Sequence, residues 1–214
     1  MNVNQLTYKH EKDSEYFFKD LSFTLEIGKF HALHGKNGTG KSVLLGLLNK
    51  RVTPQAVMEG EIHTQGMTML VNQRYDELLA DRFSFSDNLK FACIKQFPSL
   101  KNGLKSPICY VDFIKKFHID IHKPVFMLSG GQRQILALLM ILQKPIKMLI
   151  LDEPTAALDE ENAMLVFDFL NSLTTQGITI LVVCHHPDLV SRYVTGKNFY
   201  LVKEADGLRT LKIS

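Results

Sequence analysis

The segment from Phe30 to Leu48 restricts the fold more than any other part of the chain. Phe30–Leu33 is a short apolar run that reads as a strand. Gly35-Lys36-Asn37-Gly38-Thr39-Gly40-Lys41-Ser42 fits the phosphate-loop pattern G-x-x-x-x-G-K-[ST], and Leu44, Leu45, Leu47 and Leu48 follow at helical spacing. Glycines let the backbone wrap closely around an anion, with N–H groups and the positive end of the helix directed at it. Lys41 supplies a point charge for β- and γ-phosphates, and the Ser42 hydroxyl is a Mg²⁺ ligand in this pattern.

The rest of the chain extends that strand–loop–helix unit into a sheet. Met148–Leu151 and Ile178–Val183 are continuous apolar runs, as expected of parallel strands buried on both faces. A helix from Asp159 to Leu173 links them as a right-handed crossover. Val3–Thr7 and Leu21–Leu25 read as an antiparallel pair around a charged hairpin near Lys9–Ser14, and Thr68–Val71 as a further strand. From Arg74 to about Val125 the pattern is helical, broken at Pro98, Gly103, Pro107 and Pro124, and Ser129 opens a helix over Gln132–Leu142. Phe199–Lys203 and Leu208–Ile213 form a closing hairpin with Asp206-Gly207 as its turn. The predicted architecture is therefore α/β: a P-loop core with a mixed, largely parallel sheet, an N-terminal antiparallel β layer and an inserted α-helical subdomain. A single domain over 1–214 is expected, with the core at about 1–73 and 144–214 and the helical subdomain at about 74–143.

Composition excludes several classes. No apolar stretch reaches the ~18 residues of a membrane span. The longest, Ile135 to Leu151, is interrupted by Gln143-Lys144-Pro145 and Lys147. The N-terminus lacks the basic and apolar regions of a signal peptide, so a cytosolic location is expected. Cys93, Cys109 and Cys184 show no metal-ligand spacing and read as reduced, mostly buried thiols. The net charge of +3, with Lys and Arg scattered, argues against a nucleic-acid partner.

A phosphate loop alone marks only nucleotide binding. Here Leu128-Ser129-Gly130-Gly131-Gln132 follows it, and the run Met148–Leu151 ends in Asp152-Glu153, in that order. The loop's four fixed positions arise by accident in roughly one chain of this length per hundred. Five more fixed residues in the right order make coincidence negligible. The chain resembles ATP-binding cassette (ABC) ATPases.

That resemblance implies ATP and Mg²⁺ as cofactors and a role for each motif. Asp152, at a strand end where α/β sheets place ligand-facing groups, would share Mg²⁺ with Ser42 and Gln73. Glu153 resembles the general base that polarises the attacking water, with Gln73 contacting water and metal. Cys184-His185-His186 stands where the family typically shows Thr-His-Asp. Aligned on the strand, His185 takes the γ-phosphate sensor position, with His186 as the competing choice. Tyr8 resembles the aromatic that stacks on adenine, with Tyr16 and Phe17 as competitors. Asp159 resembles the aspartate that communicates across a dimer.

Ser129, Gly130, Gly131 and Gln132 form a second anion-binding helix start. By resemblance it would meet the γ-phosphate held by Gly35–Ser42 of another copy in an ATP-bound homodimer. Integral-membrane transporter subunits are the implied partners, placing the chain peripherally on the cytoplasmic face of a membrane. The Leu128–Met140 run also looks like cassettes of binding-protein-dependent importers, which would add a substrate-binding protein, although similar helices occur in exporters. The competing function is a soluble ABC-type ATPase in cofactor assembly, such as Fe–S assembly, or another non-transport process.

Overall fold

The computed structural model describes residues 1–10, 15–53, 55–72, 75–94, 107, 110–184, 187–205 and 207–214. Gln73, Cys109, His185, His186 and Asp206 lie outside the described residues. The strands are β1 (Asn2–Lys9), β2 (Phe18–Thr24), β3 (Phe30–His34), β4 (Val57–His63), β5 (Met67–Val71), β6 (Ile146–Asp152), β7 (Thr179–Val183), β8 (Asn198–Lys203) and β9 (Arg209–Ile213). The helices are α1 (Lys41–Leu48), α2 (Phe85–Ala92), α3 (Val111–Lys116), α4 (Gly130–Ile141), α5 (Glu160–Thr174) and α6 (Pro187–Ser191).

All nine strands join one sheet in the order β4-β1-β2-β9-β8-β3-β7-β6-β5. The five strands from β8 to β5 run parallel, and their apolar residues supply both faces. Leu149, Leu151, Ile180 and Val182 pack into one apolar cluster with α4 and α5. Met148, Ile150, Leu181 and Val183, one residue out of phase, pack into the other with α1, β1 and β2. The expected antiparallel layer is present as β2, β1 and β4, yet it is continuous with the parallel strands. The junction is narrow: β2 and β9 pair in parallel through the single register position Phe18↔Arg209.

The helical region shares the first cluster with the sheet, through Phe85, Leu89, Phe113, Phe117 and Val125 packed with α4. Asn88 is fully buried within it, its amide donating to the Ala80 and Ser84 carbonyls and its oxygen accepting from the Ala80 N–H. That closes the loop before α2 without leaving a polar group unpaired.

Two elements go beyond the sequence reading. β4, sequence Val-Met-Glu-Gly-Glu-Ile-His, is an edge strand with little apolar alternation, which hid it. α6 spans five residues, below the length at which helical periodicity shows. Cys93 and Cys184 form no disulfide among the described residues and are half-buried rather than buried.

Candidate nucleotide site

The loop between β3 and α1 holds itself open. Gly38 and Gly40 take φ of 78° and 99°, a region that favours glycine. A side chain at Gly40 would also meet the Phe17 ring, at 2.5 Å from its Cε1. Thr39 is buried, and its hydroxyl donates to the Lys36 carbonyl at 2.8 Å, closing the turn. The Lys41 ammonium lies over the loop mouth, donating to the carbonyls of Gly35 (2.7 Å) and Lys36 (3.2 Å). The N-cap of α1 is Gly40, which offers no side-chain cap. The first-turn N–H groups are therefore directed out with a cation beside them.

Across this mouth the buried strand β6 ends at Asp152, whose Oδ2 accepts from the Ser42 hydroxyl at 2.8 Å. Residues 110 positions apart are thus brought together as a pair of hard oxygen donors, the donor type that Mg²⁺ takes. Glu153 follows with φ of 57°, a costly conformation for a residue with a Cβ, which turns it off the strand line. Two backbone bonds fix it there: its N–H to the Val183 carbonyl (2.9 Å), and its carbonyl from the Gln134 amide (3.1 Å). Gln134 is buried in α4, two residues past the Leu128–Gln132 motif, so α4 holds the backbone of Glu153 directly. Sequence reasoning did not single out Gln134, whose amide becomes informative only once α4 packs beneath β6.

Asn37, Gly38, Gly40, Lys41, Ser42, Val43, Asp152, Glu153 and Phe17 line one open cleft of about 510 Å³. Tyr8 does not reach it. Its side chain is buried, with only 2% exposed, and its hydroxyl bonds to Thr53 Oγ1 at 2.9 Å and His10 Nδ1 at 3.2 Å. The structure thus places the Tyr8 ring in the core, away from the residues that line the cleft. The aromatic at the cleft is Phe17, which β2 carries in beside Gly40.

Residues 129–132 do not line that cleft. Ser129 is the N-cap of α4 in a full capping box: its Oγ accepts from the Gln132 N–H and its own N–H donates to Gln132 Oε1, both at 3.2 Å. Gly131 is buried against the segment after Glu153, and a Cβ there would lie 2.3 Å from Leu158 Cδ2. Tyr75 donates its hydroxyl to the Gly130 carbonyl at 3.3 Å, and burial pushes that phenol up, keeping it protonated. Asp159 is exposed and caps α5, its Oδ1 accepting from the Asn162 N–H at 2.9 Å.

The model of the family described as ABC transporter matches residues 18–156, which contain the phosphate loop, Ser129–Gln132 and Asp152-Glu153. The putative HMP/thiamine import ATP-binding protein YkoD of Bacillus subtilis is 30% identical over 90% of this chain and 36% of its own length. The energy-coupling factor transporter ATP-binding protein EcfA of Methanosphaera stadtmanae is 31% identical over 90% of this chain and 73% of its own length. The chain thus spans about a third of the first of these and most of the second. Among solved structures, a dimeric ATP-binding cassette in a post-hydrolysis state with ADP and Pi superposes over 100% of this chain and 97% of its own, with a TM-score of 0.78 and 21% identity. A putative metal-chelate type ABC transporter in an inward-facing conformation gives a TM-score of 0.74 at 26% identity, over 100% and 82% of the two chains. With the family model spanning well over half of the sequence, and the fold and loop geometry in agreement, this chain belongs to the ABC transporter family.

Proposed function

We propose that the chain is the ATP-binding and ATP-hydrolysing subunit of an ABC transporter, acting on integral-membrane partner subunits from the cytoplasmic face. The observation that carries the reading is the Ser42–Asp152 pair at 2.8 Å, set at the mouth of the uncapped phosphate loop with Glu153 in the same cleft. Lys41 and the α1 N–H groups hold the β- and γ-phosphates, and Phe17 takes the base in place of Tyr8. Ser42 and Asp152 would hold Mg²⁺, which would neutralise phosphate charge at the cleft. Glu153 accepts a proton from the attacking water, its backbone fixed by Val183 and Gln134. Gln73 and His185 are assigned to water and γ-phosphate on their sequence positions alone.

The second half of each site comes from another copy. Ser129–Gln132 stands apart from the cleft in one chain, and a two-fold homodimer lets it close over the γ-phosphate of the partner. ATP then closes the dimer and hydrolysis reopens it. The motion passes to the membrane subunits through the helical region, taken as about residues 74–143 inserted into one domain. An apolar surface there supports that docking role: Phe83, Phe91, Phe126 and Met127 are all exposed, with Phe126 at 64%. Among the described residues no helix is long and apolar enough to cross a membrane.

Glu153→Gln tests the mechanism. Turnover falls by about 10² or more, and ATP converts the variant into a stable dimer by light scattering. A variant that stays monomeric and retains full turnover overturns it. Co-purification of the tagged chain with a polytopic membrane protein supports transport, whereas a soluble scaffold in its place supports the cofactor-assembly alternative.

A further inference from the structure

We propose that Arg209 is a positioning residue for the nucleotide base, acting through Phe17 from the last strand of the sheet. This rests on the reading above in which Phe17 receives the base. The guanidinium carbon of Arg209 lies 3.7 Å from the centre of the Phe17 ring, well inside cation–π range. Among the described residues its side chain makes one hydrogen bond, from Nη1 to the Gly207 carbonyl at 2.7 Å, within its own hairpin. Nε is buried with no hydrogen-bond partner, and among the described residues no carboxylate forms an ion pair with it. Half-buried and, among the described residues, without a carboxylate in an ion pair, this cation lies over the aromatic face.

The backbone delivers Arg209 to that place. Its N–H donates to the Phe17 carbonyl at 3.3 Å, and Phe18↔Arg209 is the one position at which β2 and β9 pair. Other rings fix its orientation as well. Phe18 and His10 meet it at 83° and 86°, with centroids 4.9 and 5.1 Å away, and the Gly40 backbone sits against Cε1 and Cζ. Arg209 takes one face of the ring and the base the other. A guanidinium draws π-density toward its own face, leaving the opposite face less negative and better suited to an electron-rich purine. Arg209 does not line the phosphate-loop cleft, so on this proposal its contribution depends on the base alone.

The test compares ADP with pyrophosphate, which shares the phosphates and lacks the base, by titration calorimetry on the full chain with Mg²⁺. Arg209→Met keeps the stem and removes the charge. It is expected to weaken ADP binding roughly three- to five-fold, with pyrophosphate affinity changing less than two-fold. Arg209→Lys, which keeps a cation, is expected to recover at least half of the loss. In a Phe17→Leu background, Arg209→Met has no further effect on ADP. Equal weakening of ADP and pyrophosphate overturns the proposal, as does an unchanged ADP affinity in Arg209→Met. Phe17→Leu that leaves ADP affinity intact removes the reading beneath it. Phe17→Leu that weakens ADP while Arg209→Met does not removes the Arg209 proposal alone.

Discussion

α1 and α4 both begin at glycine-rich turns and both are read as anion sites, yet their first turns are built in opposite ways. α1 starts from Gly40 at φ 99° with no side-chain cap, and Lys41 and Ser42 open its first turn. α4 starts from Ser129 in extended conformation, with a complete capping box through Gln132. One start leaves its N–H groups to a ligand and adds a cation. The other partly satisfies its own and adds no charge. α5 goes further still, capped by the carboxylate of Asp159 with Glu160 and Glu161 in its first turn. A helix start that must hold a polyanion alone cannot satisfy itself first, whereas one that only completes a preformed site can afford a neutral cap. The contrast supports the proposal that α1 binds the polyanion first and α4 makes a closing contact.

The largest expected effect lies at α1. Lys41→Ala removes the ammonium over the loop mouth and is expected to lower turnover by about 10² or more, the scale at which loss of a charge-stabilising donor is felt. Nucleotide binding measured by calorimetry should weaken with it, while thermal stability stays near wild type, because Lys41 bonds only to loop carbonyls. A Lys41→Ala chain that binds nucleotide normally breaks the contrast at its stronger end.

Gly131→Ala comes next and acts on packing. The added Cβ would stand 2.3 Å from Leu158 Cδ2 and 3.1 Å from the Ala157 carbonyl, so α4 must shift from the segment that follows Glu153. A loss of about 1–3 kcal/mol in stability is expected, lowering Tm by roughly 2–4 °C per kcal/mol in a chain of this size. Since Gln134 holds the Glu153 carbonyl from the same helix, kcat should fall more than ADP affinity. An unchanged kcat would detach α4 from Glu153.

Much of this was legible in the sequence, for reasons that can be named. The Gly35–Ser42 loop, the buried leucines of α1 and the Ser42–Asp152 approach follow from short-range pattern plus the rule that parallel strands end at the ligand. Which of Tyr8, Tyr16 and Phe17 stands at the cleft was not legible. β1 carries register shifts on both sides of Leu6, with Gln5 at φ 50°, so Leu6, Thr7 and Tyr8 are buried in succession where a regular strand would alternate. Those irregularities turn Tyr8 inward and leave the cleft to Phe17. Arg209 was hidden more deeply, since its place depends on one pairing position between strands almost 200 residues apart in the chain. β4 hid because an edge strand with two glutamates and a glycine lacks the pattern of a buried one.

The smallest effect is the most discriminating, because it separates the cap of α4 from its proposed contact with phosphate. Ser129→Ala deletes the Oγ that accepts from the Gln132 N–H and should cost about 1 kcal/mol of stability, the usual value of an N-cap. Ser129→Asp keeps an oxygen at that position and is as good a cap, so its Tm should stay near wild type. Its carboxylate, however, would face the γ-phosphate of the neighbouring copy, and like charges repel. ATP-driven dimerisation and turnover should then fall in Ser129→Asp by more than in Ser129→Ala, inverting the order of the two stabilities. Melting curves and light scattering with ATP on the two variants read both orders. If stability and dimerisation instead fall in the same order, Ser129 is a helix cap and nothing more, and the γ-phosphate contact at α4 is lost from the mechanism.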